Sequence, residues 1–468
     1  MFHLSSRALA FILIVLNSSF AVSKMPVRFG LVGLLITLTF LCIGMIAVLG
    51  VVYDKSPLNY TLNIMHWFFI LLQYFYASSL QIYEGKYPWN ANFDEYDVLK
   101  TNLIILTWCV CYFITYNVVT KRYKYWNIVT NYAELSNERK LSYLFTRSLF
   151  FVGIVVAICS FVLIGRNMFT SRNELSNTLS DSGSTFLHLY TATLRFVVGM
   201  SFFMLLVDCR QKRLAMSFKL IILLVCVVLV YFPSTSSRAW LLSVYLGIVL
   251  TYMFKVSNKF VIPVLLLLLI LFVAPRLGLF RNNALDRDSL NDFVSYDVES
   301  DNVLNSGNYD CYVSIGMTLR YVEQNGITYG RQLLGVALFY LPRAMWPGKP
   351  VGSGAFVFSG QGYDFTNISS PVIAEGFINF GILGVVIFAI VVCSICCKID
   401  YEACLFRSDN IRVLSRSPFR YNLQYVYYML VGYYYIILRG DLLSSISNLS
   451  GILFPIYLVS FFNKPHIR

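Results

Sequence analysis

Apolar residues fall in long blocks separated by shorter polar, mostly basic stretches. Eleven such blocks are Val27 to Val52, Leu62 to Tyr83, Leu103 to Val119, Leu149 to Ile164, Leu189 to Val207, Leu220 to Phe232, Ala239 to Phe254, Phe260 to Ala274, Pro371 to Cys396, Tyr421 to Leu438 and Leu449 to Phe462. A further block, Ala8 to Leu16, follows Arg7 and precedes Asn17-Ser18-Ser19 in the manner of a signal peptide. Because Val27 to Val52 comes at once after it, a retained first helix is expected. About twelve spans result, all helical, since an open sheet edge cannot be satisfied in lipid. The predicted fold class is an all-α polytopic membrane protein. Helices one to nine occupy residues 1–275, a long loop 276–370, and helices ten to twelve 371–468. Inside that loop Leu333 to Pro342 is apolar but too short to cross a core of roughly 30 Å, which predicts a re-entrant or interfacial segment. No internal repeat is evident.

Composition supports the pattern. The 468 residues are 57% hydrophobic and 13% charged, with a mean hydropathy of +0.64, which excludes a set of soluble domains. A net charge of +13 would suggest nucleic acid in a soluble protein; here Lys and Arg cluster between apolar blocks and act as topology signals, so no nucleic-acid partner is expected. Lys121, Arg122, Lys124, Arg139, Lys140 and Arg147 share one loop, Arg210, Lys212 and Arg213 a second, Lys255 and Lys259 a third, and Lys398, Arg407, Arg412, Arg416 and Arg420 a fourth. With twelve spans all four lie on the cytoplasmic side with both termini, while Lys24 and Arg28 fall outside against the rule. The long loop, the turn Pro233 to Arg238 and the loop Arg439 to Asn448 then share the opposite face. A loop as long as Arg276 to Ser370 is usually functional.

The candidate chemistry gathers on that face. Leu220 to Phe232 and Ala239 to Phe254 are short for spans, so the turn between them dips below the surface and points Arg238 into a cavity, unless Arg238 snorkels to lipid phosphates. Arg343 and Lys349 stand in a segment stiffened by Pro342, Pro347, Gly348 and Pro350, with Arg331 shortly before it. A guanidinium can grip a diphosphate with two parallel bonds and an ammonium adds a point charge; the competing role is a membrane-surface anchor, with Trp346 in an aromatic belt. Arg439-Gly440-Asp441 ends an apolar block, where the acid could orient the arginine or form a surface ion pair of little worth. Glu375 follows Pro371 at a helix start; it serves either the helix dipole or as a proton acceptor for a bound hydroxyl. The Asp286-Arg287-Asp288 pattern lies in an acid-rich stretch that reads as a solvated face. Cys393 and Cys396 have CxxC spacing but no second pair, the four histidines are scattered, and the eleven cysteines form no disulfide framework, so no metal or other cofactor is expected.

The motifs SSRAWLL around Arg238, YLPRAMWPGKP around Arg343, AEGFINFGILG around Glu375 and LRGD around Arg439, with the long loop after the ninth helix, resemble the Wzy-type polymerases of O-antigen and related oligosaccharide repeat units. The resemblance covers the second half of the chain. It implies a glycosyltransferase of GT-C-like architecture, related to the O-antigen ligases, in a bacterial inner membrane. Its substrate would be undecaprenyl-diphosphate-linked oligosaccharide at the periplasmic face, its partner a chain-length regulator in the same membrane, and its chemistry metal-independent. Glu375 and Asp441 become the candidate catalytic carboxylates, and Arg238, Arg331, Arg343, Lys349 and Arg439 the candidate diphosphate-binding cations. No histidine stands in the long loop, which excludes a histidine base there. Two other readings stay open: an O-antigen ligase, differing in acceptor, and a flippase or other transporter, which would favour internal repeats and midplane charges.

The charge pattern predicts that topology reporters fused at Asn305 and at Asn410 give opposite signals. Identical signals at the two positions would overturn the assignment of sides.

Overall fold

A computed structural model of the protein describes residues 30–56, 58, 61–123, 143–165, 196–211, 218–232, 244–250, 307–364, 368–407 and 426–462, with the isolated positions 16, 19 and 23. Arg238 and its turn, the block Phe260 to Ala274 and the acidic stretch Asp286 to Asp301 lie outside the described residues. There is no strand among the described residues. The helices are α1 (Leu31–Val52), α2 (Leu62–Phe69), α3 (Ser78–Glu84), α4 (Glu95–Tyr123), α5 (Tyr143–Ile164), α6 (Phe196–Gln211), α7 (Phe218–Val230), α8 (Cys311–Asn325), α9 (Arg331–Ala337), α10 (Ser353–Ser359), α11 (Val372–Arg407), α12 (Tyr427–Arg439) and α13 (Leu442–Phe462). A π-helical stretch, Ile70–Ala77, joins α2 to α3, so the chain is helical without a gap from 62 to 84. Among the described residues four helices are long and apolar enough to cross a membrane: α1, α4, α5 from Arg147 onward, and α11 as far as Cys404. The protein is thus an α-helical membrane protein.

Two apolar cores share one helix. The first is built by α1, the α2-to-α3 rod, α4, α8, α11 and one face of α12, through Tyr427, Val431, Tyr434, Tyr435 and Leu438. The second is built by α5, α6, α7, α13 and the opposite face of α12, through Val426, Met429, Leu430 and Tyr433. A helix apolar on every side has no face for water, and the sequence of α12 places it in the middle of the bundle. Outward-facing residues are apolar too: Leu34 and Leu38 on α1, Ile114 and Val118 on α4, Val155 and Val162 on α5, Leu383 and Ile387 on α11 are all exposed. This is the surface expected against lipid tails.

Polar residues mark the two ends. At one end Asp400 of α11 accepts the backbone N–H groups of Leu62 (3.0 Å) and Asn63 (3.3 Å) and the Tyr427 hydroxyl (2.6 Å), so a buried carboxylate answers the free donors of the first turn of α2. Asp54 beside it accepts from Asn63 Nδ2 (2.8 Å) and the Tyr116 hydroxyl, and Lys55 Nζ donates to Asn117 Oδ1 (2.7 Å). At the other end Arg320 of α8 pairs with Asp97 at the start of α4 and lies over the Phe93 ring. Helix α4 therefore runs from the end that carries residues 307–364 and 368–378, called here the loop end, to the end that carries 54–56, 61–62 and 398–404, the far end.

The block Pro371 to Cys396, expected as one uninterrupted span, is broken. Phe380 (φ −142°, ψ 18°) and Gly381 (φ 62°, ψ −147°) leave the helical region, and a positive φ of this kind suits only glycine well. On an unbroken helix Gly376 and Gly384 would stand about 12 Å apart, eight residues at about 1.5 Å each. Instead their backbones touch: a Cβ placed on Gly384 would stand 1.9 Å from the Gly376 carbonyl oxygen. The short limb 372–379 therefore turns back sharply against the long limb 382–407. The break frees carbonyls at the end of the short limb, and Thr328 meets that of Ile378, its N–H (2.8 Å) and its hydroxyl (3.2 Å) both donating to Ile378 O.

Gly384→Ala should cost at least the ~1–3 kcal/mol typical of overpacking, because the atom it meets is backbone and cannot swing aside. Gly30→Ala, where nothing lies within 4 Å of the new methyl group, should be near neutral. Thermal unfolding of the two variants in detergent, read by size-exclusion, checks the contrast; equal Tm values would refute the close approach.

Candidate functional site

Four segments meet at the loop end: 307–314 before and inside α8, 352–353 at the start of α10, 368–375 leading into α11, and 439–445 between α12 and α13. The sharp turn in α11 keeps Glu375 in the short limb, in the first turn of the helix, where the dipole favours a carboxylate. Glu375 is fully buried. Its Oε2 accepts the Ser353 hydroxyl (2.8 Å), its Oε1 accepts the backbone N–H of Leu442 (3.2 Å), and the Ser370 hydroxyl also reaches it. The carboxylate is thus held by donors from two other segments and by Ser370 of its own.

Asp441 caps α13, its Oδ1 accepting from the N–H groups of Leu443 (2.6 Å) and Ser444 (3.3 Å). The Ser353 N–H also points to this carboxylate, so one residue binds Glu375 through its side chain and Asp441 through its backbone. Such an approach needs glycine before it: a Cβ on Gly352 would stand 1.7 Å from Asp441 Oδ2. Burial pushes the Asp441 carboxyl above the usual carboxylate range, and the neighbouring charge of Glu375 opposes having both ionised.

Arg439 closes the other side. Its Nη2 donates to Gly307 O (2.6 Å) and to Asp310 Oδ1 (3.1 Å), and Asp310 in turn accepts the Ser369 N–H (3.4 Å). Asp310 is buried while a quarter of the Arg439 side chain remains exposed. Arg439 therefore ties the end of α12 to the start of α8, and Ser369-Ser370 links that ion pair to Glu375.

Of the sequence-derived candidates, the structure brings Glu375, Asp441 and Arg439 into this knot. Arg343 and Lys349 make their hydrogen bonds within their own loop. Arg343 Nη1 donates to Lys349 O (2.8 Å) and Nη2 to Pro350 O (3.4 Å), while Lys349 Nζ donates to Phe339 O (2.6 Å) and Leu341 O (2.9 Å). Burial, and then the nearby Arg343, lower the Lys349 ammonium from its ordinary value. Arg331 is exposed at the start of α9, and Arg238 lies outside the described residues. Asp310, Gly352, Ser353, Ser369 and Ser370 belong to the knot and carry no motif. The one local signal for them is position: Asp310 immediately precedes a helix, Gly352-Ser353 opens another, and Ser369-Ser370-Pro371 leads into a third. His66 is a core residue, stacked on Tyr112 at 3.7 Å and accepting from Trp108 Nε1.

Replacing Asp310 by Asn leaves the Arg439 charge without its partner. The expected loss is about 2–3 kcal/mol, below the ~3–5 kcal/mol of a fully buried pair because Arg439 is partly hydrated. The double variant Asp310→Leu with Arg439→Met should cost less than the sum of Asp310→Leu and Arg439→Met made singly, and chemical-unfolding midpoints check this; strict additivity would show that the two residues do not interact. Comparison of the chain with family models, curated proteins and solved structures finds no match in any of the three.

Proposed function

We propose that the chain polymerises undecaprenyl-diphosphate-linked oligosaccharide repeat units at the periplasmic face of a bacterial inner membrane. In this reading about twelve helices span the bilayer, both termini are cytoplasmic, and the loop end faces the periplasm. The observation that carries it is the pairing of two carboxylates from separate segments, Glu375 and Asp441, on the single residue Ser353 at the end of the bundle that carries the long loop.

The reaction asks for a base and for cations. A hydroxyl of the incoming unit loses its proton to a carboxylate and its oxygen forms a bond to the anomeric carbon of the growing glycan. The bond from that carbon to the lipid diphosphate breaks, and the diphosphate leaves with the electron pair. Glu375 is the proposed base, and Asp441 shares its proton load, since two neighbouring carboxylates hold one proton more readily than none. A diphosphate leaving group needs positive charge more than a proton. Arg439 stands two residues before Asp441 with its guanidinium on Asp310, and Arg238, Arg331, Arg343 and Lys349 are the further cations that the reading assigns to the lipid diphosphate. A chain-length regulator in the same membrane is its proposed partner. The reading calls for no metal.

The test is the length of the surface polysaccharide on a gel after deletion of the gene. One repeat unit per anchor is expected; no polysaccharide at all would assign the chain to ligation instead, and an unchanged ladder would discard both. Complementation with Glu375→Gln isolates the base. The amide can present its oxygen to Leu442 N–H and its NH₂ to the Ser353 oxygen, so the fold should persist at normal protein level. Polymer should fall about 100- to 10,000-fold. Full-length polymer from this variant would leave Glu375 structural and pass the base role to Asp441.

A further inference from the structure

The segment from Tyr329 to Val351 is inside out by the standard of a water-facing surface. In α9 the polar Gln332 is buried at 3% exposure, whereas Leu334 is 51% exposed. Beyond α9 large apolar or aromatic residues again face outward, beside Arg343: Tyr340 is 62% exposed and Met345 75%, with Tyr329 and Val351 on the same segment also exposed. Large apolar side chains turned outward on one short stretch mark an interaction surface.

Its position says what the surface meets. Gly330 lies against the Phe380 ring, with 3.2 Å from its would-be Cβ to the ring edge, and Ile327 lies against Gly381. Phe380, Ile382 and Leu383 are exposed and begin the outward stripe of the long limb of α11, which continues through Ile387, Ile390, Val391 and Ile395. The outward side of 329–351 thus adjoins the apolar face of a membrane-length helix at the point where that helix ends. Arg331 and Arg343 are exposed on the same segment. Arg343 and Lys349 do more than supply charge: their four hydrogen bonds to carbonyls at 339, 341, 349 and 350 close the loop on itself and satisfy backbone groups that would otherwise need water.

We propose that residues 329–351 are seated in the interfacial layer of the phospholipid bilayer. Leu334, Tyr340 and Met345 lie at the acyl boundary and the Arg331 and Arg343 guanidinium groups at the level of the lipid phosphates. The site recognises phospholipid as such: apolar chains below, phosphate above, and a self-satisfied backbone between. It does not depend on which reaction the loop end carries out.

The test places a benzophenone side chain at Met345 in the full-length protein, reconstituted in nanodiscs of phosphatidylethanolamine and phosphatidylglycerol, and reads the intact mass after irradiation. Ile387 on the outward stripe of α11 serves as the lipid-facing reference, and Asp364, in the exposed turn after α10, as the water-facing one. The mass of one phospholipid added at 345 and at 387, but not at 364, is expected. A lipid adduct at 387 with none at 345 would overturn the proposal, as would equal lipid yields at 345 and 364. So would a polypeptide adduct at 345 when the irradiation is done in native membranes, which would make the surface a protein-docking face.

Discussion

The contact between the Gly376 and Gly384 backbones is the constraint on which the loop end depends. Two helical segments can approach this closely only where neither carries a side chain, and the approach turns the short limb of α11 back on the long one. Glu375 sits one residue before Gly376, so the contact decides where the carboxylate goes. Without the turn the first residues of α11 would continue the line of the long limb and carry Glu375 away from Ser353 and from the start of α13. With it, one carboxylate receives donors from two segments distant in sequence, at Ser353 and Leu442.

Much of the bundle is legible in the sequence because burial in lipid is a composition rule: a long apolar block has few alternatives to a helix. The described helices α1, α4 and α5 contain most or all of the blocks that predict them, but α4 starts at Glu95 and α5 at Tyr143, well before Leu103 and Leu149, because polar first turns carry no hydropathy signal; the π-helical stretch in 62–84 changes its winding but not its extent. The break in α11 is not legible by the same rule. Phe380 and Gly381 are apolar, so hydropathy runs through them, and only the pair of glycines flanking them hints that two backbones meet. Asp310 and Ser353 escape for another reason. Each is an ordinary polar residue at a helix start, and its partner stands far off in the chain, Arg439 in one case and Glu375 with Asp441 in the other. Spacing along the sequence contains no trace of such pairs.

Arg343 and Lys349 show how a correct physical premise leads to a different arrangement. The prolines around them do stiffen the loop, as the sequence suggests. A stiff loop with few internal N–H donors also exposes carbonyls, since each proline removes a donor and leaves its acceptor. The two cationic side chains meet that need from within. At the far end the logic is the reverse: Asp400 supplies acceptors to the unpaired N–H groups that begin α2, and a buried carboxylate becomes part of the framework of the bundle. Both ends use charged side chains to finish the backbone.

The dependence of Glu375 on the N–H of Leu442 has a consequence for how the protein is made. A ribosome delivers Glu375, Ser353 and the turn of α11 well before residue 441 leaves the exit tunnel. Until α13 takes its place, Glu375 lacks its Leu442 donor and Asp441 is absent from the knot. The carboxylate pair is therefore completed only when the start of α13 is in place.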